Sequence, residues 1–152
     1  MQIKLHKIRT NDVENIVRAI YMDETVEFLT KLHQDGGKGI EACISTTVAN
    51  IADARFFRVE NHFGNLVGFF CVTEQDGVQL MPSFHVREIF RTGDYLNAFW
   101  QMISETINND FYTSVGAANY KALNHLLKND FVIVNNMEYD GKNFILLRKS
   151  IT

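Results

Sequence analysis

Between residues 78 and 87, Val78, Leu80, Phe84 and Val86 alternate with Gln79, Met81, Ser83, His85 and Arg87. This is the period of two of a strand with one apolar face. The single proline of the chain, Pro82, falls inside the alternation. Proline has no N–H to give a ladder, so the strand is expected to break there, by a bulge or by a neighbour that has splayed away. Phe90-Arg91-Thr92-Gly93-Asp94 follows as a turn, after which Leu96, Phe99, Trp100, Ile103 and Ile107 recur at helical spacing. A strand that enters a helix through such a turn leaves unpaired N–H groups at the helix start, where anions bind well.

The flanking patterns build a sheet around this unit. Ile3, Leu5 and Ile8 read as a first strand. Asn11 with Glu14 resembles a capping box, ahead of a helical stripe of Val13, Ile16, Val17 and Ile20. Residues 23–34 and 40–51 give two more helical patterns, separated by Gly36-Gly37-Lys38-Gly39. No strand precedes that loop and no Ser or Thr follows its lysine, so it reads as a hinge rather than a phosphate cradle. Residues 55–60 and 65–73 read as a hairpin turning at His62-Phe63-Gly64-Asn65. The run from 66 to 72 is apolar without alternation, which predicts a strand buried on both faces. Asp76-Gly77 predicts a second tight turn. Beyond the long helix come a short strand at 111–115, a helix opened by Asn119 with Ala122, Leu123, Leu126 and Leu127 inward, and a closing hairpin about Asp140-Gly141.

The predicted order is β-α-α-(α)-β-β-β-α-β-α-β-β. Helices between strands demand crossovers, whereas hairpins demand antiparallel pairs. The expected fold class is therefore α/β: one domain over 1–152, with a mixed sheet of about seven strands and helices on both faces.

Composition narrows the function. The 152 residues are 46% apolar and 22% charged, with net charge −3, an ordinary globular balance that offers neither nucleic acid nor a membrane surface a favourable long-range field. No apolar run approaches the roughly 20 residues of a bilayer span, and the opening residues lack a signal-peptide pattern, so a cytoplasmic location is expected. Cys43 and Cys71 sit in apolar contexts and read as reduced, buried thiols. The histidines show no ligand spacing, so no metal site is expected.

An interrupted fourth strand feeding an Arg/Gly turn, in this order of elements, resembles the GNAT superfamily of acyl-CoA-dependent N-acyltransferases. The resemblance covers nearly the whole chain and is strongest from Asn65 to Phe131. It implies acetyl-CoA as cofactor and an amine-bearing acceptor. The strand end at Phe84 and Val86 would meet the pantetheine arm. The loop of pattern Gln/Arg-x-x-Gly-x-Gly/Ala, here Arg91, Thr92, Gly93 and Asp94, would wrap the pyrophosphate. The later pattern Asn-x-x-Ala, ending in Gly-Phe, is met by Asn119, Ala122 and Phe131.

The departures fall at chemical positions. The first loop glycine is Asp94, the second small residue is Leu96, the tyrosine that protonates the leaving thiolate is Leu126, and the glycine before Phe131 is Asp130. Asp94 is expected to be the helix N-cap, accepting from the amides a pyrophosphate would use, a gain of about 1 kcal/mol. A diphosphate within roughly 4 Å of it would meet repulsion of about 4 kcal/mol at an effective dielectric of about 20, partly offset by Arg91. His85 and Glu88 are then the candidate bases and Tyr120 the candidate acid. Each also has an ordinary reading: a satisfied sheet histidine, a solvated carboxylate and a packing tyrosine. Two functions follow, an N-acyltransferase with a degenerate site or a non-catalytic interaction or assembly module without cofactor. The second has a concrete version in the GNAT-like virion components of some tailed phages, located in the virion and bound to protein partners or to its own copies.

Overall fold

Two Asp-Gly pairs set tight turns of the sheet. Asp76 and Gly77 have φ of 53° and 80°, and Asp140 and Gly141 have 52° and 74°. Positive φ at both central residues is the type I′ geometry whose twist matches that of the strands it joins. The first pair joins β3 (Leu66–Gln75) to β4 (Val78–Leu80), and the second joins β7 (Phe131–Tyr139) to β8 (Lys142–Lys149). The computed structural model describes residues 3–7, 12–21, 48–49 and 54–151. Asn11, Cys43, the glycine-rich loop at 36–39 and the helical patterns at 23–34 and 40–51, apart from Val48 and Ala49, lie outside the described residues.

The remaining elements are β1 (Ile3–Lys7), α1 (Val13–Tyr21), β2 (Arg55–Asn61), β5 (Phe84–Val86), α2 (Gly93–Ile107), β6 (Phe111–Gly116) and α3 (Tyr120–Lys128). The sheet runs β1-β2-β3-β4-β6-β8-β7, with β5 paired to β3 beside that path. All neighbours are antiparallel except β4 and β6, which are parallel because α2 crosses between them. The mixed α/β architecture stands as expected, with eight strands because the fourth is cut in two.

Six residues of β3, Val67 to Val72, are buried in succession, as its unbroken apolar run predicted. Phe57 stacks on Phe70 on one face and Phe56 on Phe69 on the other, with ring centroids 4.9 and 5.0 Å apart. Phe99, Trp100, Ile103 and Ile107 of α2 are buried in one core with Phe70, Phe111, Leu126 and Leu147. Each such side chain contributes about 1.5–3 kcal/mol by leaving water. Ala122, Leu123 and Leu126 carry the inner face of α3 as predicted, but Leu127 is exposed because it lies one residue beyond that stripe.

The break in the fourth strand corrects the reading of its faces. Thr73 pairs with Leu80 and Phe70 with Phe84, so three steps along β3 span four on its neighbour. The extra residue is a bulge across Met81-Pro82-Ser83, and it reverses which side chains face the core. Leu80 and Phe84 therefore lie on opposite faces. Met81, read as one of the polar set, is fully buried, and His85 is only 4% exposed.

Candidate active site

Pro82 starts an opening between two strands. On one side of it, β4 and β6 are joined at Gln79–Phe111 and Leu80–Tyr112. The Met81 amide donates to the Tyr112 carbonyl at 2.8 Å, and the Thr113 hydroxyl to the Met81 carbonyl at 2.9 Å. Beyond these links, among the described residues, β5 pairs only with β3, and residues 114–116 of β6 pair only with β8.

The ladder fixes which backbone groups face that opening. Cys71 N–H donates to the Ser83 carbonyl at 3.0 Å and Arg87 N–H to the Val67 carbonyl at 2.8 Å. Antiparallel strands alternate their polar groups between the two sides, so Ser83, His85 and Arg87 turn toward β3, while Phe84 and Val86 turn toward the opening. By the same alternation, Ser114 and Gly116 face it from β6. Close packing supports the β5 edge from behind: a Cβ on Gly68 would land on the His85 carbonyl oxygen.

At the end of β5, three predicted residues form one hydrogen-bonded group. Arg91 Nε donates to the Val86 carbonyl at 2.8 Å, and its Nη2 lies 3.1 Å from His85 Nε2. A guanidinium only donates, so Nε2 accepts and the ring proton sits on Nδ1. The His85 ring lies flat on Phe69, with centroids 6.3 Å apart and planes 15° apart.

A 3₁₀ turn over Glu88–Phe90 leads into α2. The helix cap is Thr92, with extended backbone at φ −106° and ψ 160° and no side-chain cap bond. Its carbonyl receives Leu96 N–H at 2.9 Å. This corrects the placing of Asp94 as N-cap. The helix begins at Gly93, ahead of the first apolar residue of the stripe, so Asp94 is its second residue and is exposed. The amides of Gly93, Asp94 and Tyr95 are the ones an α-helix cannot pair internally.

Asn119 caps α3 as expected, its Oδ1 accepting from Ala122 N–H at 3.3 Å. Tyr120 follows it and is 70% exposed, and Glu88 is exposed on the 3₁₀ turn. Glu88 meets Arg91 through its backbone carbonyl, which accepts from the Arg91 amide at 3.1 Å. Leu126 is completely buried and carries no proton donor to the site. Asp130 holds φ of 68°, so the backbone keeps a left-handed residue at the helix end although a glycine is absent there.

Two arrangements escaped the sequence reading. Trp100, read as plain core, donates its indole N–H to His125 Nε2 at 2.7 Å. Asn61 is buried, accepts from the amides of Phe63 and Asn65 at 3.0 Å each, and reaches Tyr95 of α2 at 3.5 Å. The only local signal was an Asn beside a turn.

No protein-family model and no curated protein matches this sequence. Solved structures do. A spermidine N-acetyltransferase from Vibrio cholerae, solved in complex with CoA and spermine, has TM-score 0.66 at 13% identity over 98% of this chain and 95% of that one. A GNAT-family acetyltransferase from Bacillus cereus has TM-score 0.64 at 16% identity, covering 99% and 98%. An N-acetyltransferase from Staphylococcus aureus has 0.61 at 14%, covering both chains in full. At such identities the likeness is one of fold: this chain has the GNAT fold. Among the described residues no helix is long and apolar enough to cross a membrane.

Proposed function

We propose that this protein is an acyl-CoA-dependent N-acyltransferase acting on an amine, with the acyl group carried in the opening between β5 and β6. The observation that carries this reading is the outward-facing backbone of Phe84 and Val86, one 3₁₀ turn away from a helix start that the Thr92 side chain leaves uncapped. The amides of Gly93, Asp94 and Tyr95 would hold the acyl-CoA diphosphate, since the helix dipole favours an anion there, with Arg91 and Thr92 beside them. A β5 amide facing the opening would donate to the thioester oxygen and stabilise the oxyanion as charge develops.

The chemistry then needs a base and a route for the second proton. An ammonium acceptor gives one proton to His85 Nε2, with Glu88 the alternative base, and its nitrogen attacks the thioester carbon. The C–N bond forms, the C–S bond breaks, and sulfur leaves with the second nitrogen proton, directly or through the Tyr120 hydroxyl. Asn119 fixes the helix that presents Tyr120. Calorimetric titration with acetyl-CoA, followed by mass spectrometry on a panel of primary amines, tests the reading. Binding with transfer of one acyl group supports it; a flat titration at millimolar acetyl-CoA overturns it.

One observation favours a second reading, an interaction module of the same fold. The edge strand β7 exposes Val132, Ile133 and Val134, and a long apolar edge is a template for pairing with another chain. A second copy is the simplest partner. Sedimentation that shows a dimer abolished by Ile133→Lys, together with no acetyl-CoA binding, would favour it.

A further inference from the structure

Large apolar side chains scattered singly over a surface are ordinary; here the most exposed ones share one end of the sheet. Among the described residues, Phe63, Ile89, Tyr120 and Tyr139 are 68–78% exposed, and no other large apolar side chain exceeds 49%. Phe63 is on the turn between β2 and β3, Ile89 on the 3₁₀ turn after β5, Tyr120 at the start of α3 after β6, and Tyr139 at the β7–β8 turn. The ladder gathers these connections. Just past β5, Arg87 N–H donates to the Val67 carbonyl of β3 at 2.8 Å; just past β6, Ala117 N–H donates to the Asn143 carbonyl of β8 at 2.9 Å. Across that end the sheet order runs Phe63, Ile89, the opening, Tyr120, Tyr139. The outer two stand about four strand spacings apart, on the order of 20 Å. The Phe63 turn is rigid, since buried Asn61 accepts from the amides of Phe63 and Asn65, and the His62 ring lies 3.9 Å from that of Phe63.

We propose that this collar docks an extended polypeptide and that the amine acylated is a lysine side chain within it. A width of about 20 Å matches six residues of extended chain at about 3.3 Å each, beyond what a small amine touches. Rigid, exposed aromatic anchors ringed by charges are the anatomy of a protein contact. The charges near them are of both signs, Glu88 and Asp140 with Lys121 and Lys142, in a chain of net charge −3. A nucleic-acid backbone or an anionic lipid surface would need a basic field instead. The opening lies at the middle of the collar, with two anchors on each side. A chain that runs past it uses all four, whereas a chain that begins there uses only half. The transfer is the one written above: the lysine nitrogen forms the C–N bond, the C–S bond breaks and the CoA thiol leaves with the proton. The proposal rests on the acyl-CoA reading and names its acceptor.

The test offers acetyl-CoA with four acceptors: N-acetylated heptapeptides with a central lysine flanked by phenylalanines, the same peptides with serine for phenylalanine, lysine-free peptides with a free α-amine, and n-butylamine. Mass spectrometry reads transfer, and calorimetry reads binding of peptide and of acetyl-CoA. The expected result is a kcat/KM for the phenylalanine-flanked lysine about tenfold above those of the other three. Phe63→Ser and Tyr139→Ser, both at exposed positions, should each cut that value about fivefold while leaving n-butylamine turnover and acetyl-CoA affinity within twofold. Equal use of n-butylamine, preference for the α-amine, or equal loss on both substrates in the variants overturns the collar and leaves the acyltransferase reading standing. So does acetyl-CoA binding with no peptide binding. Peptide binding that the two variants weaken, with no acetyl-CoA binding, supports the docking surface and overturns that reading. Binding of neither overturns both.

Discussion

Trp100 donates its indole N–H to Nε2 of His125 at 2.7 Å, which ties α2 to α3 beneath the opening. The same indole meets Phe84 of β5 edge-on at 5.2 Å and Phe131 of β7 at 5.1 Å, and Phe131 in turn meets Phe111 of β6 at 5.7 Å. One ring therefore touches the strand on one side of the opening and, through Phe131, reaches the strand on the other. Its orientation depends on an acceptor that protonation removes.

That dependence predicts a pH response. Burial and the nearby Lys128 hold His125 below its ordinary 6.5. Lys149 of β8 donates its ammonium to the Asn129 carbonyl at 2.6 Å, and Asp130 is the anion nearest His125 in the chain. The folded state favours the neutral ring, so the unfolded chain takes up the proton first as pH falls. Stability from this pair is complete above about 6.5 and is lost as pH drops through the lowered value. Trp100 is the only tryptophan in the chain, so its fluorescence should change over that window. His125→Gln, which keeps an acceptor oxygen but does not titrate, should abolish the change. An identical titration in the variant would refute the assignment.

Gly68→Ala should destabilise the protein by about 2–3 kcal/mol, because the added methyl meets backbone rather than a movable side chain. The His85 carbonyl would have to retreat from β3, loosening the strand that carries the Arg91 group. Urea denaturation measures the loss, and a midpoint within about 0.5 kcal/mol of the wild type would contradict the packing.

Asp130→Gly should act in the opposite direction. A non-glycine residue at φ of 68° carries steric strain, and glycine removes it at some cost in unfolded-chain entropy. The net expectation is stabilisation by about 0.5–1 kcal/mol, seen as a thermal midpoint raised by a few degrees with an unchanged circular dichroism spectrum.

What was readable in the chain was what is written locally. Asp-Gly pairs demand positive φ wherever they stand, so the turns at Asp76-Gly77 and Asp140-Gly141 appeared in place. Asn119 caps its own helix through a bond to Ala122. What depends on a partner was not readable. The faces of Met81 and His85 are set by a register shift against β3, one extra residue that alternation within a single strand cannot reveal. Trp100 and His125 meet across 25 positions of sequence. Asp94 was misplaced as cap because the apolar stripe marks where a helix packs, whereas the helix itself starts ahead of the stripe, after Thr92.

Asp94 is where the acyl-CoA reading meets its strongest electrostatic opposition. Its carboxylate stands at the second position of α2, exposed and without a cap bond to the first-turn amides, so those amides remain available while the charge stays close. A diphosphate on them gains from the helix dipole and is opposed by this single anion, screened by water and salt. Asp94→Asn keeps the shape and removes the charge. It should tighten CoA binding by about three- to tenfold, roughly 0.7–1.4 kcal/mol, with the gain shrinking as sodium chloride is raised from low to physiological concentration. Asp94→Glu, which retains the charge on a longer arm, should leave the affinity within twofold of the wild type. Calorimetry at two ionic strengths reads both. Equal affinity for CoA in the wild type and Asp94→Asn at low salt would mean that the diphosphate does not lie at the start of this helix.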